Sequence, residues 1–290
     1  RDDRPVVAVF WVASQDHDAA EIDHAWLLGK GERLERLALP FPADLPSGRV
    51  PWRAAWTETL LDGLAAIYGS DGPGAQAREL VAAASEPGGT VADVFARLLS
   101  RLLGDRGLIV LDPMRPEIAR RFGPLLRADL EHPRAGPDAI QGAGEALRGA
   151  GLRPQLGRAD DATNLFVQDG DGPRRLLRFD GRRFHPDGRS EQRWTREEVA
   201  ARLEDDPAAL TPAAGLRPIV QDAALPTAAV VVGPGELRYF AQLRGVYEHH
   251  GVPMPAVWPR ATVTVLEPPV TRILAKHVLS VAEFVADPDA

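Results

Sequence analysis

Asp16-His17-Asp18, preceded by Ser14-Gln15, is the densest group of reactive side chains in the sequence. A His between carboxylates can be held in one tautomer and can move protons near neutral pH. Such a set suits gripping a polar substrate or deprotonating an amine. The same Asp residues at a helix start would serve as caps. Gly233-Pro234-Gly235-Glu236 is the second group. Its glycines allow close backbone approach, N–H groups at a helix start attract an anion or a ribose, and Glu236 can accept from sugar hydroxyls. It matches neither the dinucleotide fingerprint nor the Walker loop, and a plain tight turn is the alternative. Gln221-Asp222 either reaches the same crevice or closes a turn. Arg260, after Trp258-Pro259, can pair with a carboxylate or phosphate or make a surface salt bridge. His17, Glu21 and His24 have the spacing of one helix face and the chemistry of zinc ligands. A solvated face carries the same spacing. His249-His250 reads as favourable charge at a helix C-terminus, and Trp11, Trp26 and Trp258 as packing residues.

These groups need elements to position them. Val6 to Ala13 (VVAVFWVA) is apolar without alternation, as in a parallel strand covered on both faces. The spacing of Ile22, Ala25 and Trp26 predicts a helix after it, ending at Gly29. Arg33 to Leu39 reads as a short strand, and Pro40 to Pro51 as a loop. Helices are expected over Trp52 to Tyr68, Ala75 to Ala84 and Val91 to Leu103. Gly107 to Leu111 is a second buried strand, closed by the Asp112-Pro113 turn. A helix from Pro116 follows, kinked at Pro124. Ala135 to Gln155 is punctuated by Gly and Pro. Leu165-Phe166-Val167 and Leu176-Leu177 predict a hairpin around Asp169-Gly170-Asp171-Gly172, with a further tight turn at Asp180-Gly181. Thr195 and Glu198 form a capping box for a short helix ending near Asp205. Leu216 to Asp222 reads as a strand containing Pro218, and Ala228 to Val232 as another. One helix is then expected to bury Leu237, Phe240, Leu243 and Val246 and to stop at Gly251. A last strand lies within Ala256 to Leu266.

Strand, turn and helix recur, which is βα architecture with a parallel sheet whose ligands bind beyond the strands' carboxyl ends. The division expected is a core part over 1–135 with a helical insert at about 40–104, a connecting insert over 136–212, and a second core part over 213–290. The chain has 290 residues and 44% hydrophobic content, enough for a sizeable core. It opens on Arg1 and reads as an internal piece or a processed chain. No apolar run reaches the roughly 18 residues of a membrane helix. The absence of Cys excludes disulfides and thiol catalysis, and fits a cytoplasmic home. A net charge of −7 argues against nucleic acid and anionic membranes as partners.

Several segments together resemble the bacillithiol biosynthesis cysteine-adding enzymes. They are Val9-Phe10-Trp11-Val12-Ala13-Ser14-Gln15-Asp16-His17-Asp18, then Leu108-Ile109-Val110-Leu111-Asp112-Pro113. The most specific block runs from Leu216-Arg217-Pro218-Ile219-Val220-Gln221-Asp222 through Leu225-Pro226-Thr227 and Gly233-Pro234-Gly235-Glu236. It continues as Tyr239-Phe240-Ala241-Gln242-Leu243, Val246-Tyr247-Glu248-His249 and Gly251-Val252-Pro253-Met254-Pro255. The likeness covers the family's core region, without its N-terminal segment and C-terminal coiled coil. The family has Glu at the position of Gln15.

The resemblance implies a Rossmann-like parallel sheet with helices on both faces, similar to class I aminoacyl-tRNA synthetase cores with inserted connecting regions. It also implies a ligase joining cysteine to glucosaminyl-malate, with these small molecules as partners and a homodimer allowed. A free carboxylate resists attack by an amine, so ATP is expected to activate it, as an acyl-adenylate or acyl-phosphate. ATP or ADP would lie on Gly233, Pro234, Gly235 and Glu236. Asp16, His17 and Asp18 would be catalytic, and Ser14, Gln221, Asp222 and Arg260 would bind substrate, with no metal required. The competing expectations are a metal-dependent hydrolase built on His17, Glu21 and His24, and a nucleotide- or sugar-binding module without activity.

Overall fold

The computed structural model describes residues 5–29, 33–168, 170 and 172–282. The first apolar run forms β1 (Ala8–Trp11). The helix expected next does not form. A single 3-10 turn at Ala19–Glu21 leads into β2 (His24–Leu28), which pairs antiparallel with β3 (Leu34–Ala38). Ile22, Ala25 and Trp26 are all exposed, so their helical spacing has no core to face. A helix that short is marginal by itself, whereas pairing with β3 satisfies one edge of the β2 backbone. The expected helices follow as α1 (Ala54–Tyr68), α2 (Gly72–Ala84) and α3 (Val91–Leu103). Thr90 and Asp93 make a reciprocal capping box on α3. The chain then returns as β4 (Leu108–Leu111), parallel to β1, with Ala8 opposite Leu108 and Trp11 opposite Leu111.

Pro124 breaks the next helix. The halves are α4 (Pro116–Ala119) and α5 (Gly123–Glu131), joined by a 3-10 turn. The Gly- and Pro-punctuated stretch holds a helix of 15 residues, α6 (Ala135–Gly149). Pro137 sits in its first turn, where no N–H is needed, and its small residues permit close packing. A Cβ at Gly144 would lie 3.2 Å from the Gln242 amide nitrogen. The hairpin forms from β5 (Ala162–Val167) and β6 (Arg175–Phe179). Of its expected turn, Asp169 and Asp171 lie outside the described residues. With β7 (Phe184–Pro186), α7 (Arg196–Asp205) and β8 (Leu210–Pro212), it completes an antiparallel sheet ordered β7-β6-β5-β8. Thr195 and Glu198 cap α7 reciprocally.

The Leu216 to Asp222 segment is a helix, α8 (Arg217–Ala224), not the strand expected from its apolar residues. Pro218 explains the correction. It cannot donate to a ladder, but it is at home in a first helical turn. A parallel pair follows: β9 (Ala229–Val232) and, after α9 (Pro234–Phe240) and α10 (Arg244–His250), β10 (Ala256–Pro259). The single helix expected between these strands is two short ones. Phe240, Leu243 and Val246 are buried, but Leu237 is exposed. Gly251 ends α10 at φ 63°, as a left-handed cap. Helix α11 (Pro268–Lys276) follows and has no buried residue.

The result is an α/β structure in which β1 pairs with β4 and β9 with β10, both in parallel. One main core joins Phe122, Leu126, Leu165, Leu177, Ile219 and Tyr247, so the antiparallel sheet and the parallel strands share it. A smaller cluster of Leu39, Val50, Trp56 and Val91 lies under the β1 rim. Among the described residues, no helix is long and apolar enough to cross a membrane.

Ile219 is fully buried on α8, whereas Trp26 on β2 is 58% exposed. Ile219→Ala is therefore expected to cost about 2–5 kcal/mol, and Trp26→Ala within about 0.5 kcal/mol. Urea unfolding midpoints of the two variants check the ordering.

Candidate active site

The β1 ladder continues one bond past the strand, from Val12 N to Leu111 O at 2.9 Å. Beyond it, Ser14 is fully buried and its Oγ donates to Asp112 Oδ1, which also accepts Met114 N at 2.9 Å. Ser14 therefore clasps the ends of β1 and β4 together, with its hydroxyl committed to Asp112. Its carbonyl accepts Gly48 N at 2.9 Å. A Cβ at Gly48 would stand 2.8 Å from Met114 Sδ and 3.2 Å from the Ser14 carbonyl oxygen, so a side chain there would require its neighbours to shift.

The next turn is closed by Asp16, whose Oδ1 accepts His17 N at 2.7 Å and Asp18 N at 3.3 Å. Gln15 is buried beneath, while Asp16 and Asp18 are exposed. The His17 side chain is 29% exposed, with its Nδ1 3.8 Å from Asp16 Oδ1. Its nearer partner comes from the connecting segment between β5 and β6. Arg174 Nη1 lies 3.2 Å from His17 Nδ1, and the His17 and Phe166 rings are 5.7 Å apart. Burial lowers the Arg174 pKa to about 10, with the Asp16 carboxylate opposing that shift.

The Gly233 group gathers separately, at the end of β9. Glu236 Oε2 accepts Gly233 N at 3.1 Å. Its Oε1 accepts from Arg217 Nη2 and from Tyr239 Oη, each at 3.1 Å. Arg217 also donates to Tyr239 Oη at 2.8 Å and to Gln221 Oε1 at 3.4 Å. Arg260 N donates to Val232 O at 2.7 Å, and its guanidinium would meet a Gly233 Cβ at 2.9 Å. A Cβ at Gly235 would meet nothing within 4 Å, so approach there is open. Asp222 accepts from Tyr247 Oη at 2.5 Å. Desolvation raises the Asp222 pKa against the lowering effect of that bond, and burial raises the Tyr247 pKa.

The expected residues thus fall into two clusters, one around Asp16 and His17 and one around Gly233, Glu236, Gln221 and Arg260. The helix face expected for a metal does not exist: His17 is in a loop, Glu21 in a 3-10 turn and His24 on β2, bonded to Asp23 at 2.5 Å. Among the described residues, no three His, Cys, Asp or Glu side chains are grouped to hold a metal ion. Sequence reasoning missed Arg174, Phe166, Arg217 and Tyr239. Arg217 and Tyr239 stand inside the most specific block and flank the Gly233 turn, a usable signal. Arg174 carries none, because its partner His17 is 157 residues away.

Because the fold raises the Asp222 pKa, the neutral carboxyl is favoured and its stabilising contribution is lost as pH rises through the folded value. Tyr247→Phe deprives the ionised form of its donor. It is expected to cost about 1–3 kcal/mol at pH 7 and less near pH 4, measured by denaturant unfolding at both.

A family model described as "Bacillithiol biosynthesis BshC, N-terminal Rossmann-like domain" matches residues 1–261. Curated relatives named "Putative cysteine ligase BshC" align with most of the chain. One from Thermus thermophilus is 45% identical over 282 residues, 97% of this chain and 55% of its own length. That of Salinibacter ruber is 39% identical, covering 97% and 51%. That of Geobacillus kaustophilus is 34% identical, covering 98% and 52%. The chain spans about half the length of the curated relatives it matches. With the turns at Asp16 and Gly233 both inside the matched region, the chain belongs to the BshC family of bacillithiol biosynthesis through its N-terminal Rossmann-like domain.

Proposed function

We propose that this chain carries the amide-forming centre of a ligase that adds cysteine to glucosaminyl-malate. The observation that carries the reading is the Asp16–His17 turn, clasped by Ser14 and Asp112 beyond the paired ends of β1 and β4. Ligands of open α/β sheets bind beyond strand carboxyl ends. We take the ends of β1 and β9 to border one crevice of a Rossmann-like sheet, covered by helices on both faces and similar to class I aminoacyl-tRNA synthetase cores. The division is into core parts over 1–135 and 213–290 and a connecting insert over 136–212. The setting is cytoplasmic, and a homodimer is compatible with it.

Amide formation joins the sugar nitrogen to the carboxyl carbon of cysteine and breaks a carbon–oxygen bond there. ATP supplies the better leaving group that this oxygen needs. The open approach at Gly235 and the Arg260 guanidinium beside Gly233 fit an anionic phosphate. Gly233, Pro234, Gly235 and Glu236 would hold the nucleotide, with Arg217 and Tyr239 fixing the Glu236 carboxylate. Gln221 and Arg260 would orient substrate from the same side. Asp222, through Tyr247, would hold α8 in place. On the β1 side, the sugar ammonium must shed a proton before its lone pair can attack, and another once the bond forms. Solvent takes the first and Asp16 accepts the second, while His17 and Asp18 complete the polar wall of the turn.

Mass spectrometry of reactions with cysteine, glucosaminyl-malate and ATP is expected to show the amide product. Asp16→Asn should lower kcat by about 10²–10⁴-fold, the usual worth of general-base assistance, and a normal rate would remove Asp16 from this role. By isothermal titration, Arg260→Ala should weaken ATP binding roughly tenfold or more, given the ~1.5–3 kcal/mol of a hydrogen bond to a charged group.

A further inference from the structure

Arg174 has no place in the chemistry above, yet it is the most heavily committed cation near the β1 rim. Its Nε donates to Thr211 Oγ1 at 2.8 Å and its Nη2 to Pro212 O at 3.1 Å, both on β8. The guanidinium carbon lies 3.9 Å from the centre of the Phe166 ring. Its backbone N donates to the carbonyl of Asp44 at 3.1 Å, and Asp44 is a non-glycine residue at φ 64°. These contacts aim the remaining arm of the fork, Nη1, at His17 Nδ1, 3.2 Å away.

A guanidinium has only N–H donors and no acceptor. Nδ1 of His17 must then offer its lone pair, and the single proton of the neutral ring sits on Nε2. The other charged group facing the ring is Asp16. It favours the opposite arrangement, but its Oδ1 is 3.8 Å from Nδ1 and already accepts two backbone N–H groups. Phe166 packs against both the His17 ring and the guanidinium.

We propose that Arg174 is a positioning residue that holds His17 as the Nε2–H tautomer, so that His17 acts as a hydrogen-bond donor and not as the base. In the amide-forming reaction, an Nε2–H suits the carboxyl oxygen of cysteine on which charge builds as the amine attacks. That last role rests on the ligase reading; the tautomer does not.

The test is 15N–1H multiple-bond NMR of histidine-labelled protein at pH 7, with the His17 signals assigned by their loss in His17→Gln. The wild-type protein is expected to show an unprotonated Nδ1 and a protonated Nε2. A proton on Nδ1, or on both nitrogens, would overturn the proposal without any variant. Arg174→Met should shift His17 toward a tautomer mixture and lower kcat by about 10²-fold, the scale of a misplaced reacting group, with KM little changed. Arg174→Lys keeps a cationic donor at Nδ1 while losing the fork's other contacts, and should retain the tautomer. Equal tautomer changes in the Met and Lys variants would mean that Arg174 only holds the loop, and would refute the positioning role. An Nε2–H signal with no amide product would instead count against the ligase reading alone.

Discussion

Two parallel strands cannot be joined by a hairpin, so the chain must leave β1 and travel before it can return as β4. Everything between Trp11 and Leu108 is that excursion, and the β1–β4 ladder fixes where it starts and ends. The clasp between Ser14 and Asp112 joins residues 98 apart at the carboxyl end of this ladder. Its Ser14 half is fully buried, so loss of the Asp112 acceptor would leave a hydroxyl without its partner in the interior. Gly48 presses against Ser14 from the excursion itself, and its N–H takes the Ser14 carbonyl. The Asp16–His17 turn therefore stands on a platform assembled from three distant stretches of chain.

Arg174, just before β6, belongs to that platform as much as the strands do. A guanidinium taken out of water has to find all its partners in the protein. Arg174 finds them on β8, on the Phe166 face and on His17. Phe166 faces Thr211 across the β5–β8 ladder, so the sheet's register sets the position of the cation. The antiparallel sheet also shares its hydrophobic core with α8 and β9 through Leu165, Leu177, Ile219 and Val232. Movement of the sheet would thus be felt at His17.

At the β9 end the same logic runs through α8. Arg217 in its first turn bonds Glu236 and Tyr239, and Asp222 near its end receives Tyr247. Read as a strand, this segment would have put Gln221 and Asp222 at a strand's tip. As a helix it presents Arg217 to the Gly233 turn and turns Asp222 toward α10. Pro218 was the sign available in the sequence, since proline at the second position of a helix loses no hydrogen bond.

Local physics was sufficient for much of this molecule. The apolar runs that form β1, β4 and β9, although these strands are largely exposed or half-buried and not covered on both faces, the capping box at Thr195, the left-handed cap at Gly251 and the spacing within α3 all depend on residues a few positions apart. The sequence alone therefore determined an α/β chain and marked the Asp16 and Gly233 turns as places for chemistry. Only the tertiary structure decided that the residues after Asp18 become a hairpin, that the glycine-rich stretch becomes α6, and that Arg174 meets His17. Each of these outcomes depends on a partner far along the chain: β3 for β2, Gln242 beside Gly144 in α6, and β8 for Arg174. No local preference encodes such a partner, because its energy appears only after the chain has closed the distance between them.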